Sequence, residues 1–218
     1  LQGPGTVKIK SSTGNGLIDV AAGSHVISAP LQLASDTSIA VTAGAQLSLN
    51  GPIDNSAGST INKEGTGTLV INGPQDHAVG TTLNLNAGTT VMNSNVGGGS
   101  GQPDLRVNDG ATLKLGADQD MVSLIVATGG SVQTQSPATV LRVNQFEVHT
   151  GGQAALMRMQ SPNNVRNNGV LTLADGGSAP QITGDGTLHV TGGTLAIDRM
   201  TQSSLHLANN AKVKMNVS

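Results

Sequence analysis

Apolar and polar residues alternate along this chain in short runs. Thr112-Leu113-Lys114-Leu115, Thr187-Leu188-His189-Val190, Thr82-Leu83-Asn84-Leu85 and Lys212-Val213-Lys214-Met215 each place an aliphatic side chain at every second position. Period two marks a strand with one buried face. No stretch keeps the 3.6 period of an amphipathic helix over a useful length. Met121-Val122-Ser123-Leu124-Ile125-Val126 comes nearest, and its β-branched content and the following Gly129-Gly130 favour a buried strand.

The strands are separated by glycine and asparagine, and the punctuation recurs. The fullest unit is Gly65-Thr66-Gly67-Thr68-Leu69-Val70-Ile71-Asn72-Gly73; Gly184-Asp185-Gly186-Thr187-Leu188 repeats its opening and Gln46-Leu47-Ser48-Leu49-Asn50-Gly51 its close. In the first half the step is 22 residues: Leu47, Leu69, Val91 and Leu113 obey it, as do Gly44, Gly88 and Gly110, with Thr66 at the missing place. In the last third the step is 17, carried by Gly152, Gly169, Gly186 and Ser203 and by Leu171, Leu188 and Leu205. The change falls between Gly116 and Gly151 and reads as a change of cross-section within a single domain, residues 1–218.

Repeats of 17 to 22 residues are too short for helix-pair solenoids, which need about 33. A coil of two or three short strands with Gly, Asn and Asp at its corners is one turn of a parallel β-helix (a β-solenoid). Such a turn buries its apolar face only by stacking, at about 4.8 Å per turn. The spacing therefore predicts two inward columns, Leu47-Leu69-Val91-Leu113 and Leu171-Leu188-Leu205, and an amide ladder joining Asn50 to Asn72. Val96-Gly97-Gly98-Gly99-Ser100-Gly101, within the loop Asn95 to Pro103, reads either as a flexible projection or as an insertion between turns, the latter favoured; Ser161 to Asn168 is a second polar loop of the same kind.

Composition supports a thin aliphatic core. The 218 residues contain one Phe and no Tyr or Trp, whereas a globular core of this size would use several aromatics. Hydrophobic residues make up 36%, and the net charge of -2 is too small for a chain held open by self-repulsion. There is no Cys, which is compatible with an oxidising compartment, since a long repetitive core needs no disulfide staples. No apolar run of membrane-spanning length and no signal peptide is visible, and the start at Leu1 reads as a chain processed or excised from a longer product.

Lys63-Glu64-Gly65-Thr66-Gly67-Thr68-Leu69-Val70-Ile71-Asn72-Gly73, followed by Gly80-Thr81-Thr82-Leu83-Asn84-Leu85-Asn86-Ala87-Gly88-Thr89, resembles an autotransporter-associated β-strand repeat, also called the passenger-associated transport repeat. One full match covers Ile61 to Met92, and partial matches at Leu1 to Ile9 and Ile182 to Ile197 extend it to about a third of the chain. Where the family carries Asn-x-Tyr-x-Gly, this chain has Asp76-His77-Ala78-Val79-Gly80. The resemblance implies a right-handed parallel β-helix in a secreted or surface-displayed bacterial protein, with any translocation unit outside this chain.

Candidate chemistry is sparse. Glycan-cleaving β-helices need carboxylates, or carboxylates beside Lys or Arg, on neighbouring turns. Asp118-Gln119-Asp120 is the one close acidic pair; Asp54, Asp76, Asp104, Asp109 and Asp175 stand beside Gly, Asn or Pro and read as turn residues. His189 and His206 share the 17-residue step at an outward position, as a stacked ladder or as a weak metal or pH-sensing pair; none of the five His forms a short-spaced metal motif. Eleven scattered basic residues and no stacking aromatic argue against nucleic acid, and Gly-x-Gly triplets with no following helix are strand punctuation, not phosphate loops. No catalytic, cofactor-binding or metal-binding residue is assigned. The expectation is a non-catalytic structural or adhesive β-solenoid, extracellular or on the bacterial cell surface, whose partners are host or matrix ligands or itself through its terminal turns. The alternatives are a self-assembling filament subunit and a polysaccharide-acting β-helix enzyme.

Overall fold

A computed structural model describes residues 1–216. Those residues form 28 strands and no helix, and every strand pair is parallel. The strands stack into a β-solenoid with three faces. The third face is an uninterrupted ladder of ten strands, from Ser24–Ile27 to Ser204–Leu207, one for each of ten turns. The first face begins with Val7–Ile9, Leu31–Leu33, Ile53–Asn55 and Gln75–His77. The second runs from Gly16–Val20 through Thr37–Val41, Ile61–Glu64, Thr82–Leu85 and Asp104–Val107. From the sixth turn the corner between these two faces straightens: Gln119–Val126 and Val140–Val148 pass through it without a break, and the two faces become one sheet.

Alternation does what the sequence pattern requires. Thr68–Ile71 and Ala111–Leu115 bury every second residue, and the inward side chains join one hydrophobic core running from Val20 to Ile197. That core contains a single aromatic ring, Phe146, fully buried. The predicted column Leu171-Leu188-Leu205 is realised in the ladder register. So is the amide ladder, which extends one turn further: Asn72 Nδ2 donates to Asn50 Oδ1 at 2.7 Å, and Asn93 Nδ2 to Asn72 Oδ1 at 2.8 Å. Met121–Val126 is a strand, as its β-branched residues suggest.

One expectation needs correction. Val91 is not in the inward column: Leu69 pairs with Thr90 and Thr90 with Leu113, so the column is Leu47-Leu69-Thr90-Leu113. Gly88 pairs with Ala111, one residue out of the 22-residue phase; its φ is +70°, and a Cβ there would stand 2.5 Å from the Gly67 carbonyl oxygen. The tight corner uses one residue fewer, and the slip buries Met92, a larger side chain than Val91. The 17-residue step begins where the spacing placed it, in the turn that follows Gly152. On the third face Val132 still pairs with Ala154, 22 residues on, and the step becomes 17 from Ala154 to Leu171.

The glycine-rich loop is an insertion between turns, the reading favoured from the sequence. The fifth turn has no first-face strand, and Asn95 to Gly101 folds into the vacant position. Val96 is fully buried, and Gly101 forms an antiparallel bridge with His77. A Cβ on Gly97 would meet the Asp120 carbonyl oxygen at 2.2 Å, and one on Gly99 would meet the Asp76 carboxylate at the same distance. The glycines are there because the loop lies directly against the turns on either side.

Candidate functional site

Asp118 and Asp120 do converge, with Arg142 of the next turn between them. Asp118 Oδ2 accepts from Arg142 Nη2 at 3.0 Å, its other oxygen accepts from the Val140 amide at 2.8 Å, and Asp120 Oδ1 lies 3.8 Å from Arg142 Nη1. Asn95 of the inserted loop donates to Asp120 and accepts its amide. Each carboxylate is thus engaged by a cation, an amide or both.

The remaining acidic candidates divide. Asp54, Asp76 and Asp104 are outward positions within strands, not turn residues, because the first and second faces run through them; Asp109 lies in a turn and Asp175 in a bend. Asp54 accepts from Ser56 and Gln32, and these hydrogen bonds, Ser56 first, hold its carboxyl below the ordinary value. Asp76 is held low by Ser100, whose amide and hydroxyl both donate to it. Asp175 pairs with Arg158. His189 and His206 stack on adjacent turns with ring centroids 4.7 Å apart and planes at 14°. Ser204 Oγ lies 2.9 Å from His206 Nε2, and no group of three or more metal-ligating side chains occurs among the described residues.

Two constellations escaped the sequence reading. The first lies inside the solenoid. Lys63 occupies an inward position and is fully buried; its ammonium donates to the carbonyls of Glu64 (2.9 Å), Gly65 (2.7 Å) and Ala87 (3.1 Å). Burial pushes its pKa down to about 8. His77 is also fully buried: Nε2 faces Gln75 Oε1 at 3.3 Å and Nδ1 faces Asn55 Nδ2 at 3.4 Å. Burial lowers its pKa to about 4, so the ring is neutral and satisfies both partners as the Nε2–H tautomer. Gln75 continues to Ser94, and Gln119 to the Ser94 carbonyl, forming a buried polar spine along the first face. The signal was a polar residue at an inward alternation position in Ile61-Asn62-Lys63 and Gln75-Asp76-His77. These residues staple corners and fill the core.

The second constellation is a groove on the outside, at the corner between the first two faces on turns six to nine. On the seventh turn the strand passes straight through the corner and leaves Asn144 exposed at the bend, without a ladder partner. On the eighth turn Ser161 to Asn164 bulges outward instead, pinned by the Ser161 amide to the Ser178 carbonyl at 2.9 Å. Recesses of roughly 500 and 350 Å³ flank this ridge and share Asn144 and Pro162. The larger is lined by Gln145, Glu147, Asn163, Asn164 and Arg166, the smaller by Gln102, Arg142, Gln160 and Ser178. The polar loop singled out in the sequence is therefore the wall of a cleft.

No protein-family model, curated protein or solved structure matches this chain. Among the described residues, no helix is long and apolar enough to cross a membrane.

Proposed function

We propose that this chain is a structural or adhesive β-solenoid segment of a bacterial protein that is secreted or displayed on the cell surface, and that it acts by presenting surface, not by catalysis. The observation that supports this reading most is the uninterrupted ten-turn stack. At about 4.8 Å per turn it gives a stiff rod about 50 Å long. Its outward side chains are tied turn to turn, as in Asn62 to Asn84 and Glu64 to Asn86 to Asn108. The placement outside the cell rests on the resemblance of Lys63 to Thr89 to the autotransporter-associated repeat. Immunogold labelling of the producing bacterium with antibodies against this chain tests it. Label on the envelope or in the medium supports the reading, and label confined to the cytoplasm overturns it.

A filament reading is favoured by a different observation. The last described turn leaves Leu205, Leu207 and Met215 38%, 50% and 48% exposed, where the same columns one turn earlier are covered. A second copy stacking on such a turn would cover them. Lys8, Lys10, Lys212 and Lys214, all exposed on the outermost turns, would oppose that contact at low ionic strength. Sedimentation velocity at low and high salt is the test, with association strengthening as salt rises. A monomer under every condition removes the filament reading and leaves the scaffold.

A further inference from the structure

We propose that the corner groove on turns six to nine is an oligosaccharide-binding site, read by the amides of Asn144, Gln160, Asn163 and Asn164 and by the Arg166 guanidinium. Its amides differ from those of the outward ladder. Asn72, Asn84, Asn86, Asn93 and Asn108 all spend their side chains on a neighbour one turn away. Among the described residues, the side chains of Asn144, Gln160, Asn163, Asn164 and Arg166 make no hydrogen bond, yet they line one recess system. Each carboxamide offers two donors and an acceptor, and the guanidinium five donors. A cleft so lined suits a ligand rich in hydroxyl groups.

The geometry disfavours other polymers. A peptide added as an extra strand needs a free backbone edge. Here Val140–Val148 is paired on both sides, with Gln119–Val126 before it and with Arg158–Gln160 and Val165–Asn167 after it. Recognition in the groove therefore falls to side chains alone, repeated at the turn spacing. Nucleic acid would need a dense basic surface or stacking aromatics. The groove instead sets Glu147 beside Arg166 on the adjacent turn, while Arg142 is engaged by Asp118. A sugar's apolar face usually lies on an aromatic ring, which this chain does not supply; the exposed ring of Pro162 and the half-buried ring of Pro180 provide the apolar surface instead. Arg166, which makes no ion pair among the described residues although Glu147 is its ladder neighbour, extends the range to sugars bearing a carboxylate. This inference gives the adhesive reading a ligand class but does not depend on where the protein resides, since binding is read on the purified chain.

The experiment uses a printed oligosaccharide array containing neutral and uronate-bearing chains, followed by NMR titration of the strongest binder. Three proteins are compared: the wild type, the double variant Asn144→Ala/Arg166→Ala, and Lys114→Ala on the distant third face. Both altered groove side chains are exposed, and far-UV circular dichroism confirms the fold. Saturable binding by wild type and Lys114→Ala, weakened about tenfold or more in the double variant, is the expected result. Preference for uronate over neutral chains, abolished by Arg166→Ala alone, assigns the guanidinium its role. No saturable signal on the array, or equal binding by wild type and the double variant, overturns the proposal. Groove-dependent binding to a peptide array with none to glycans overturns it as well.

Discussion

Leu69 lies against Thr90 in the parallel ladder, and Val91 is turned outward onto Val70. A hydroxyl consequently stands between Leu69 and Leu113 in the core column. Thr90 is 1% exposed and its Oγ1 has no hydrogen-bond partner. Beside it is a small void lined by Leu69, Leu83, Lys63 and His77. An unpaired buried hydroxyl costs about 1–3 kcal/mol. Thr90→Val keeps the shape and removes the oxygen, so it should stabilise the fold by about 1 kcal/mol, a rise in Tm of about 3 °C for a chain of this size. Differential scanning calorimetry reads it; a lower Tm would mean that the hydroxyl has a partner.

The phase of the same strand gives a paired test. Leu69 is 2% exposed, whereas Val70 is on the outer face and half-buried. Leu69→Asp places a carboxylate in the apolar column and should cost several kcal/mol, or leave the carboxyl protonated. Val70→Asp should cost under about 1 kcal/mol. Equal losses in chemical denaturation would contradict the inward assignment of Leu69.

Lys63 connects two turns. Its ammonium satisfies two carbonyls of its own corner and one, Ala87, 24 residues away. Lys63→Met retains the buried stem and deletes the three donors, so the loss should be about 2 kcal/mol or more. Hydrogen exchange should show the effect at Glu64 to Gly67 and Ala87 to Thr89 first. Unchanged protection there would show that the carbonyls need no ammonium.

Stability should fall in mildly acidic solution because of His77. Its folded pKa of about 4 is below the ordinary histidine value of 6.5. Between those values the unfolded chain binds the extra proton, so stability is complete above pH 6.5 and declines as pH falls toward 4, by about 3 kcal/mol in all. Asp76 beside it partly opposes the depression. The lowered carboxyls of Asp54 and Asp76 act in a separate window, below 3.8. His77→Asn should flatten the decline in denaturant titrations at pH 7, 6 and 5. A flat wild-type profile over that range would exclude a neutral buried ring.

The alternation in Thr68–Ile71, Ala111–Leu115 and Thr187–Val190 determined by itself that the chain is all-strand. The 22- and 17-residue steps determined that the strands stack in parallel, because a pleat fixes which side chains share a face and a fixed step returns them to the same column. The Asn50–Asn72 ladder and the His189–His206 stack follow from that arithmetic alone. Tertiary structure decided everything that depends on which atoms meet across a turn. The corner at Gly88 could shorten by one residue only because Gly65 and Gly67 approach it, and that contact exchanged Val91 for Thr90 and Met92. The glycines of Val96 to Gly101 leave projection and insertion both open until Asp76 and Asp120 are placed against them. Lys63 and His77 are polar residues at inward positions, and only the fold supplies their partners, among them Ala87 from the following turn for Lys63 and Asn55 from the preceding turn for His77. The groove beside Ser161 to Asn164 exists because one corner straightens at Asn144 while the next one bulges, a difference between neighbouring turns that no single repeat contains.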